Sequence, residues 1–234
     1  MSLQPSPIRQ SITAGAFLFD MDGTLVDSHA SIEAVWFEFA QRHDVDRSIV
    51  AEALPGRLAA DIVLRVLGPA ADVRSELQWI REHERRSVVP VQPIAGAARF
   101  LASVPPERWA VVTSATRSMM VRRLTAAGLP TPRIAVAAED VTVGKPAPEG
   151  FLSAAAQLGA SIESCIVFED SSAGMAAAAN AGVRCITIGD EPGQNIARVD
   201  NFDSLRVEMR DRSLVIDLYP AKDVHPVIDA IPVR

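Results

Sequence analysis

Two aspartates one residue apart open the stretch Asp20-Met21-Asp22-Gly23-Thr24-Leu25-Val26-Asp27-Ser28, directly after the apolar run Ala16-Phe17-Leu18-Phe19. Carboxylates at the end of a buried segment repel one another and resist desolvation, so the pair calls for a cation or a shared proton. Turn chemistry alone also uses Asp and Gly, and an Asp-x-Asp-Gly occurs in calcium loops. A calcium loop of the EF-hand type needs further oxygen ligands at alternate positions and a closing glutamate, whereas Leu25 and Val26 are apolar.

Three later segments carry complementary chemistry. Thr113-Ser114-Ala115-Thr116-Arg117 follows the apolar Trp109-Ala110-Val111-Val112 and offers hydroxyls and backbone amides ahead of a helix, where anions are favoured; the same residue types also serve as plain helix caps. Gly144-Lys145-Pro146-Ala147-Pro148 sets one lysine in a rigid loop. Glu169-Asp170-Ser171-Ser172-Ala173-Gly174 follows the apolar Cys165-Ile166-Val167-Phe168 and leads into an alanine-rich helix. Together these segments supply hydroxyls, one lysine and four carboxylates to one place. Carboxylates suit an oxygen-preferring cation, and lysine with hydroxyls suits an anion, which is the equipment of phosphoryl transfer.

These side chains need strands that end together. Apolar runs at 16–19, 109–113, 134–137, 165–168 and 184–188 read as buried strands. Helical patterns at 117–127, 150–158 and 172–181 alternate with them, each ending at a glycine, Gly128, Gly159 and Gly182. The alternation implies an α/β fold with a parallel sheet whose ligands bind at the carboxyl ends of the strands. From Asp27 to about Ile94 there is no convincing strand, far more chain than a crossover needs. That interval reads as inserted helices: one with Ile32, Val35, Trp36 and Phe39 on a single face, one over 58–67 and one over 73–87. The expected division is a core of residues 1–27 and 95–234 with a helical cap, 28–94, placed as a lid over the strand ends. A further strand is expected at 214–216, with no topology attached to it.

In this order the motifs resemble those of the haloacid dehalogenase superfamily of phosphotransferases, over roughly residues 17–189, with Asp20 to Ser28 the most specific segment. The resemblance implies a Rossmann-like parallel-sheet core with an α-helical cap inserted after the first motif. It implies that Asp20 attacks phosphorus and that Asp22 protonates the leaving oxygen and then activates water. Ser114 and Lys145 would bind the transferring phosphoryl group. The residues alone leave Thr113 and Ser114 as alternatives, and the family pattern selects Ser114. Mg²⁺ would be held by Asp20, the main-chain carbonyl of Asp22, and Asp170, with Glu169 either touching the metal or orienting the groups that do. Within the superfamily the sequence looks like sugar phosphatases and glycerol phosphate phosphatases, which makes Gly23, Thr116, Arg117 and Arg57 candidate substrate contacts.

A β-phosphoglucomutase-type phosphomutase shares the four motifs, but its pattern has a histidine where Ile32 stands and a cap arginine where Ala59 aligns. A haloacid dehalogenase would not need Asp22. A catalytically inactive binding module would not need Asp20, Asp22, Lys145 and Asp170 together. Of the four histidines, His43, His83 and His225 are read as solvated or cap-surface groups, and His29, just past the hinge, as a bystander. A net charge of -6 over 234 residues disfavours nucleic acid and anionic membranes as partners. No segment approaches a membrane span or a signal peptide, and Cys165 and Cys185 both sit in apolar runs as expected free thiols. The expectation is a cytoplasmic, soluble, monomeric enzyme acting on a small phosphorylated metabolite.

Overall fold

A computed structural model describes residues 10–193 and 195–219. In chain order the elements are β1 (Gln10–Ala14), β2 (Ala16–Phe19), β3 (Val26–Asp27), α1 (His29–Arg42), α2 (Arg47–Ala53), α3 (Ala59–Leu67), α4 (Val73–Arg86), β4 (Gln92–Pro93), α5 (Ala97–Ala102) and β5 (Trp109–Val112). They continue with α6 (Arg117–Ala126), β6 (Ala135–Val136), α7 (Glu149–Gln157), β7 (Cys165–Glu169), α8 (Ser172–Ala181), β8 (Arg184–Ile188), β9 (Ala197–Val199), β10 (Leu205–Arg210) and β11 (Ser213–Leu218).

Six strands form a parallel sheet in the order β6-β5-β2-β7-β8-β9. β2 and β5, side by side near its middle, are buried on both faces, so their apolar runs are continuous rather than alternating. Strand periodicity of two divides the side chains between two apolar layers. Phe17, Phe19, Trp109, Val111 and Phe168 face α5 and α6, whereas Leu18, Val112, Val167 and Cys185 face α7 and α8. The α/β parallel sheet expected from the alternation, and the Rossmann-like core that the resemblance implies, are what is observed.

The chain between β3 and β4 is helical and has its own apolar cluster, built from Val35, Trp36 and Phe39 of α1, Val50 of α2, Ile62 and Val63 of α3 and Ile80 of α4. The interval does contain one short strand that periodicity missed: β4 pairs antiparallel with β3, so the chain leaves and re-enters the sheet through a two-strand ribbon. Two residues, one of them a proline without an N–H, carry no alternation to read. α2 was missed as well, being only seven residues long.

The strand expected at 214–216 is the middle of β11, which pairs with β1 on one side and β10 on the other in a separate antiparallel sheet. Ile12, Leu214 and Ile216 of that sheet close the aromatic layer. Phe202, just before β10, is completely buried, its ring centroid 5.1 Å from Phe100, 5.7 Å from Phe168 and 6.1 Å from Phe19. Cys165 and Cys185 are free and buried, and burial pushes the Cys185 thiol up to about 12. Among the described residues no helix is long and apolar enough to cross a membrane. His225 lies outside the described residues.

Because Phe202 touches the ring adjacent to Asp20, its truncation should cost about 3–5 kcal/mol. Urea denaturation of Phe202→Ala tests this, and a loss below about 1 kcal/mol would mean that the Phe202 ring does not support the aromatic layer under Asp20.

Candidate active site

The carboxyl end of β2 is anchored where the Asp20 N–H donates to the Phe168 carbonyl at 2.9 Å, which ties it to β7. Asp20 is only 5% exposed. Lys145 reaches it from the loop before α7, donating to Asp20 Oδ1 at 2.5 Å and to Glu169 Oε1 at 2.6 Å. A longer contact runs to the Val112 carbonyl at the end of β5, at 3.4 Å. One ammonium therefore joins the ends of three strands. Asn180 of α8 donates to the Pro146 carbonyl at 2.9 Å and fastens the lysine loop to the helix layer.

Glu169 is fully buried, and its Oε2 accepts from the N–H groups of Asp170 and Ser171 and from the Ser171 hydroxyl, each at 2.9 Å. A Cβ on Gly174 would lie 1.6 Å from Glu169 Oε1, so only glycine fits in the first turn of α8. Burial opposes the charge on Lys145, but the carboxylates of Asp20 and Glu169 more than offset it and hold the ammonium above the usual lysine range. Burial raises Asp20 well above the usual carboxylate range; Lys145 opposes the shift, and Glu169 and Asp170 add to it.

Asp170 follows at the end of β7, where Thr24 Oγ1 donates to Oδ1 at 3.1 Å and His29 Nε2 lies 3.6 Å from Oδ2. His29 thus lies beside the acidic cluster, and the Asp170 carboxylate next to it raises its pKa against the effect of burial. Gly23 has φ +88°, and a Cβ there would come within 1.9 Å of Asp170 Oδ2, so this turn admits Asp170 only with a glycine beside it. Carboxylate oxygens of Asp20, Glu169 and Asp170 all lie within 4.8 Å of one another. Three carboxylates against one lysine leave negative charge in excess, and hard oxygen donors with that excess fit a divalent cation such as Mg²⁺. Glu169 belongs to this cluster together with Asp20 and Asp170.

The Asp22 carboxylate turns away from it. Oδ1 accepts from the Ser28 hydroxyl at 2.5 Å, and Oδ2 accepts from Arg123 Nη1 at 2.9 Å. Arg123 is 5% exposed, and its Nη2 donates to Glu84 Oε1 at 3.2 Å. The sequence reading missed both. The available signal was an arginine on the face of α6 that otherwise buries Met119, Met120 and Leu124, a position where charge is rarely tolerated unpaired.

A cleft between the strand ends and the inserted helices is lined by Asp20, Asp22, Ser114 and Arg123, with Trp36 and Arg57 on the helical side. Ser114 Oγ donates to the Gly56 carbonyl at 2.8 Å, across the cleft. Arg57, next in sequence, is at the cleft as expected. Thr116 and Arg117 are not. The Thr116 hydroxyl caps α6 by accepting from the Met119 N–H at 3.4 Å, and the Arg117 guanidinium is drawn to Asp140 and the Ala135 carbonyl. His43 pairs with Glu76 and His83 stacks on Trp79, both within the inserted helices.

A buried carboxylate–lysine pair and an acidic cluster that fits a divalent cation thus stand together at the ends of parallel strands. Residues 14–182 match the family described as haloacid dehalogenase-like hydrolase, and the chain belongs to it. It is 34% identical over 179 residues to hexitol phosphatase A of Escherichia coli (strain K12), covering 74% of this chain and 82% of the relative. To glycerol-1-phosphate phosphohydrolase 2 of Saccharomyces cerevisiae it is 32% identical over 232 residues, covering 88% and 89%. The solved hydrolase from Pseudomonas syringae has the same fold, with a TM-score of 0.71 at 24% identity, covering 79% of this chain and 92% of that one.

Burial raises the pKa of Asp170 in the folded state, so without metal its charge costs stability as pH rises from the unfolded value through the folded one. Asp170→Asn keeps an acceptor for Thr24 and removes that charge. Without divalent ions at pH 7 the variant should melt a few degrees higher, a gain on the order of 1 kcal/mol that disappears below the ordinary aspartate range. An unchanged or lower melting temperature at pH 7 would contradict the charge excess.

Proposed function

We propose that the chain is a Mg²⁺-dependent phosphatase that hydrolyses phosphomonoesters of small sugars or polyols through a phospho-aspartate on Asp20. The single observation that carries this reading is Lys145 at 2.5 Å from Asp20 and 2.6 Å from Glu169, with Asp22 two residues from the nucleophile. The chain is a phosphoric monoester hydrolase, as its relatives are. Hexitol phosphatase A and glycerol-1-phosphate phosphohydrolase 2 carry hexitol and glycerol phosphates in their names, and that substrate class is assigned here.

Asp20 attacks phosphorus, the bond from phosphorus to the alkoxide oxygen breaks, and Asp22 gives that oxygen its proton. Asp22 then takes a proton from water, whose oxygen attacks the phosphorus of phospho-aspartate, releasing inorganic phosphate and restoring Asp20. Lys145 holds the Asp20 carboxylate in place and offsets charge on the phosphoryl oxygens. Ser114 exchanges the Gly56 carbonyl for a phosphoryl oxygen as hydrogen-bond acceptor. Mg²⁺, held by Asp20, Asp170 and the Asp22 carbonyl, with Glu169 touching the metal or orienting its ligands, would supply Lewis-acid neutralisation of the transferring group. Gly23 leaves room for the acid cluster, and Arg57 faces the substrate from residues 28–94, which we assign as a cap on a core of 1–27 and 95–234.

Purified protein should release inorganic phosphate from a hexitol or glycerol phosphate only with Mg²⁺, and Asp20→Asn should lower turnover by about 10³-fold or more. No phosphate release from sugar, polyol or glycolate phosphates would overturn the assignment, as would isomerisation of a sugar phosphate without release.

A further inference from the structure

Both oxygens of the Asp22 carboxylate are held by groups that belong to, or are tied to, the inserted helices. Ser28, on Oδ1, is the residue from which α1 begins. Arg123, on Oδ2, lies in α6 but spends its second nitrogen on Glu84 of α4, 39 residues away in sequence. Beside it, Arg122 of α6 donates to main-chain carbonyls at the end of α4, to Glu84 at 3.3 Å, to Ser87 at 3.0 Å and to Arg85. The end of α4 is therefore docked on α6 by two successive arginines, one gripping backbone and one gripping a carboxylate.

The charge arrangement makes Glu84 more than a docking contact. Arg123 is buried between two carboxylates, and burial raises Glu84 even though the guanidinium opposes the shift. Removing Glu84 would leave the buried guanidinium paired with Asp22 alone and its Nη2 without an acceptor, and a buried donor left unsatisfied reorganises what is around it. Asp22, Glu84 and Arg123 all face the same cleft.

We propose that Arg123 is a positioning residue for Asp22, and that Glu84 of α4 sets Arg123 in place, so that the proton-transfer geometry of Asp22 depends on α4 being docked against α6. This rests on the phosphatase reading, in which Asp22 serves the leaving oxygen. The two arginines divide the work: Arg122 holds the helix, and Arg123 passes its position to the carboxylate.

The test compares glycerol phosphate, whose alkoxide needs a proton to leave, with p-nitrophenyl phosphate, whose phenolate leaves without one. Arg123→Met should lower steady-state turnover of glycerol phosphate by about 10²-fold, the scale of general acid–base catalysis. Its single-turnover burst of nitrophenolate should fall less than about 5-fold, the same split expected of Asp22→Asn. Glu84→Ala should reproduce the split more weakly, and Glu84→Gln, which still accepts from Arg123, should restore most of the loss. Thermal unfolding of each variant reports whether it is folded. If Arg123→Met does not fold, Arg123→Lys takes its place, with a loss again confined to glycerol phosphate. Equal losses on the two substrates, or no loss on either, would overturn the positioning role while leaving the phosphatase reading intact. Absence of phosphate release by the unmodified protein from both substrates would overturn that reading and this one together.

Discussion

The Lys145 ammonium lies between Asp20 and Glu169 with almost no access to water, and most of the architecture follows from keeping it there. A buried charge of this kind is tolerable only when it is paired and hydrogen-bonded, and removing one member would leave another stranded, a cost of about 3–5 kcal/mol. Each member accordingly has its own support. Asp20 hangs from a β2 to β7 main-chain bond, and Glu169 is gripped by two amides and a hydroxyl at the start of α8. The lysine loop is tied to α8 through Asn180. Parallel strands end at the same edge of a sheet, so this topology can set the carboxylates of Asp20 and Glu169 each within 3 Å of one lysine.

The acidic residues around the lysine outnumber it, which would be a defect in a purely structural core. Asp170 adds charge that burial and the Glu169 carboxylate make costly, with His29 and Lys145 opposing them, and the Gly23 turn keeps space for it. Sites that concentrate unfavourable charge in this way trade stability for chemistry. The same logic extends outward through Asp22, whose partners reach into the helices between β3 and β4. The cleft is thus walled on one side by strand ends with fixed charges and on the other by a separately packed helical cluster.

How much of this was legible in the sequence depends on how local the cause was. β2, β5, β7 and β8 were legible because burial on both faces leaves continuous apolar runs, Asp20, Asp22 and Asp170 because they follow β2 and β7 directly, and Lys145 because it stands alone in a rigid Gly-Pro loop. Thr116 and Arg117 do not line the cleft with Asp20, because at a strand-to-helix turn the first helical turn decides which side chains face it. There the α6 cap takes the Thr116 hydroxyl, and Asp140 takes the Arg117 guanidinium. Arg123 was missed because its partners lie 101 and 39 residues away, so the buried face of α6 marks a charge in need of pairing without showing what pairs it. The hairpin of β10 and β11 turns on Asp211 and Arg212, both at positive φ, without the Asn-Gly or Asp-Gly pair that would have signalled it.

The central claim is that Asp20 becomes covalently phosphorylated. Rapid acid quenching of the protein mixed with Mg²⁺ and a polyol phosphate labelled in its phosphoryl group tests this most directly, followed by digestion and mapping of the label. Transient label is expected on the peptide carrying Asp20, lost on the timescale of phosphate release and absent from Asp20→Asn. Phosphate release with no protein-bound label at any time, or label on another residue such as His29, would contradict it.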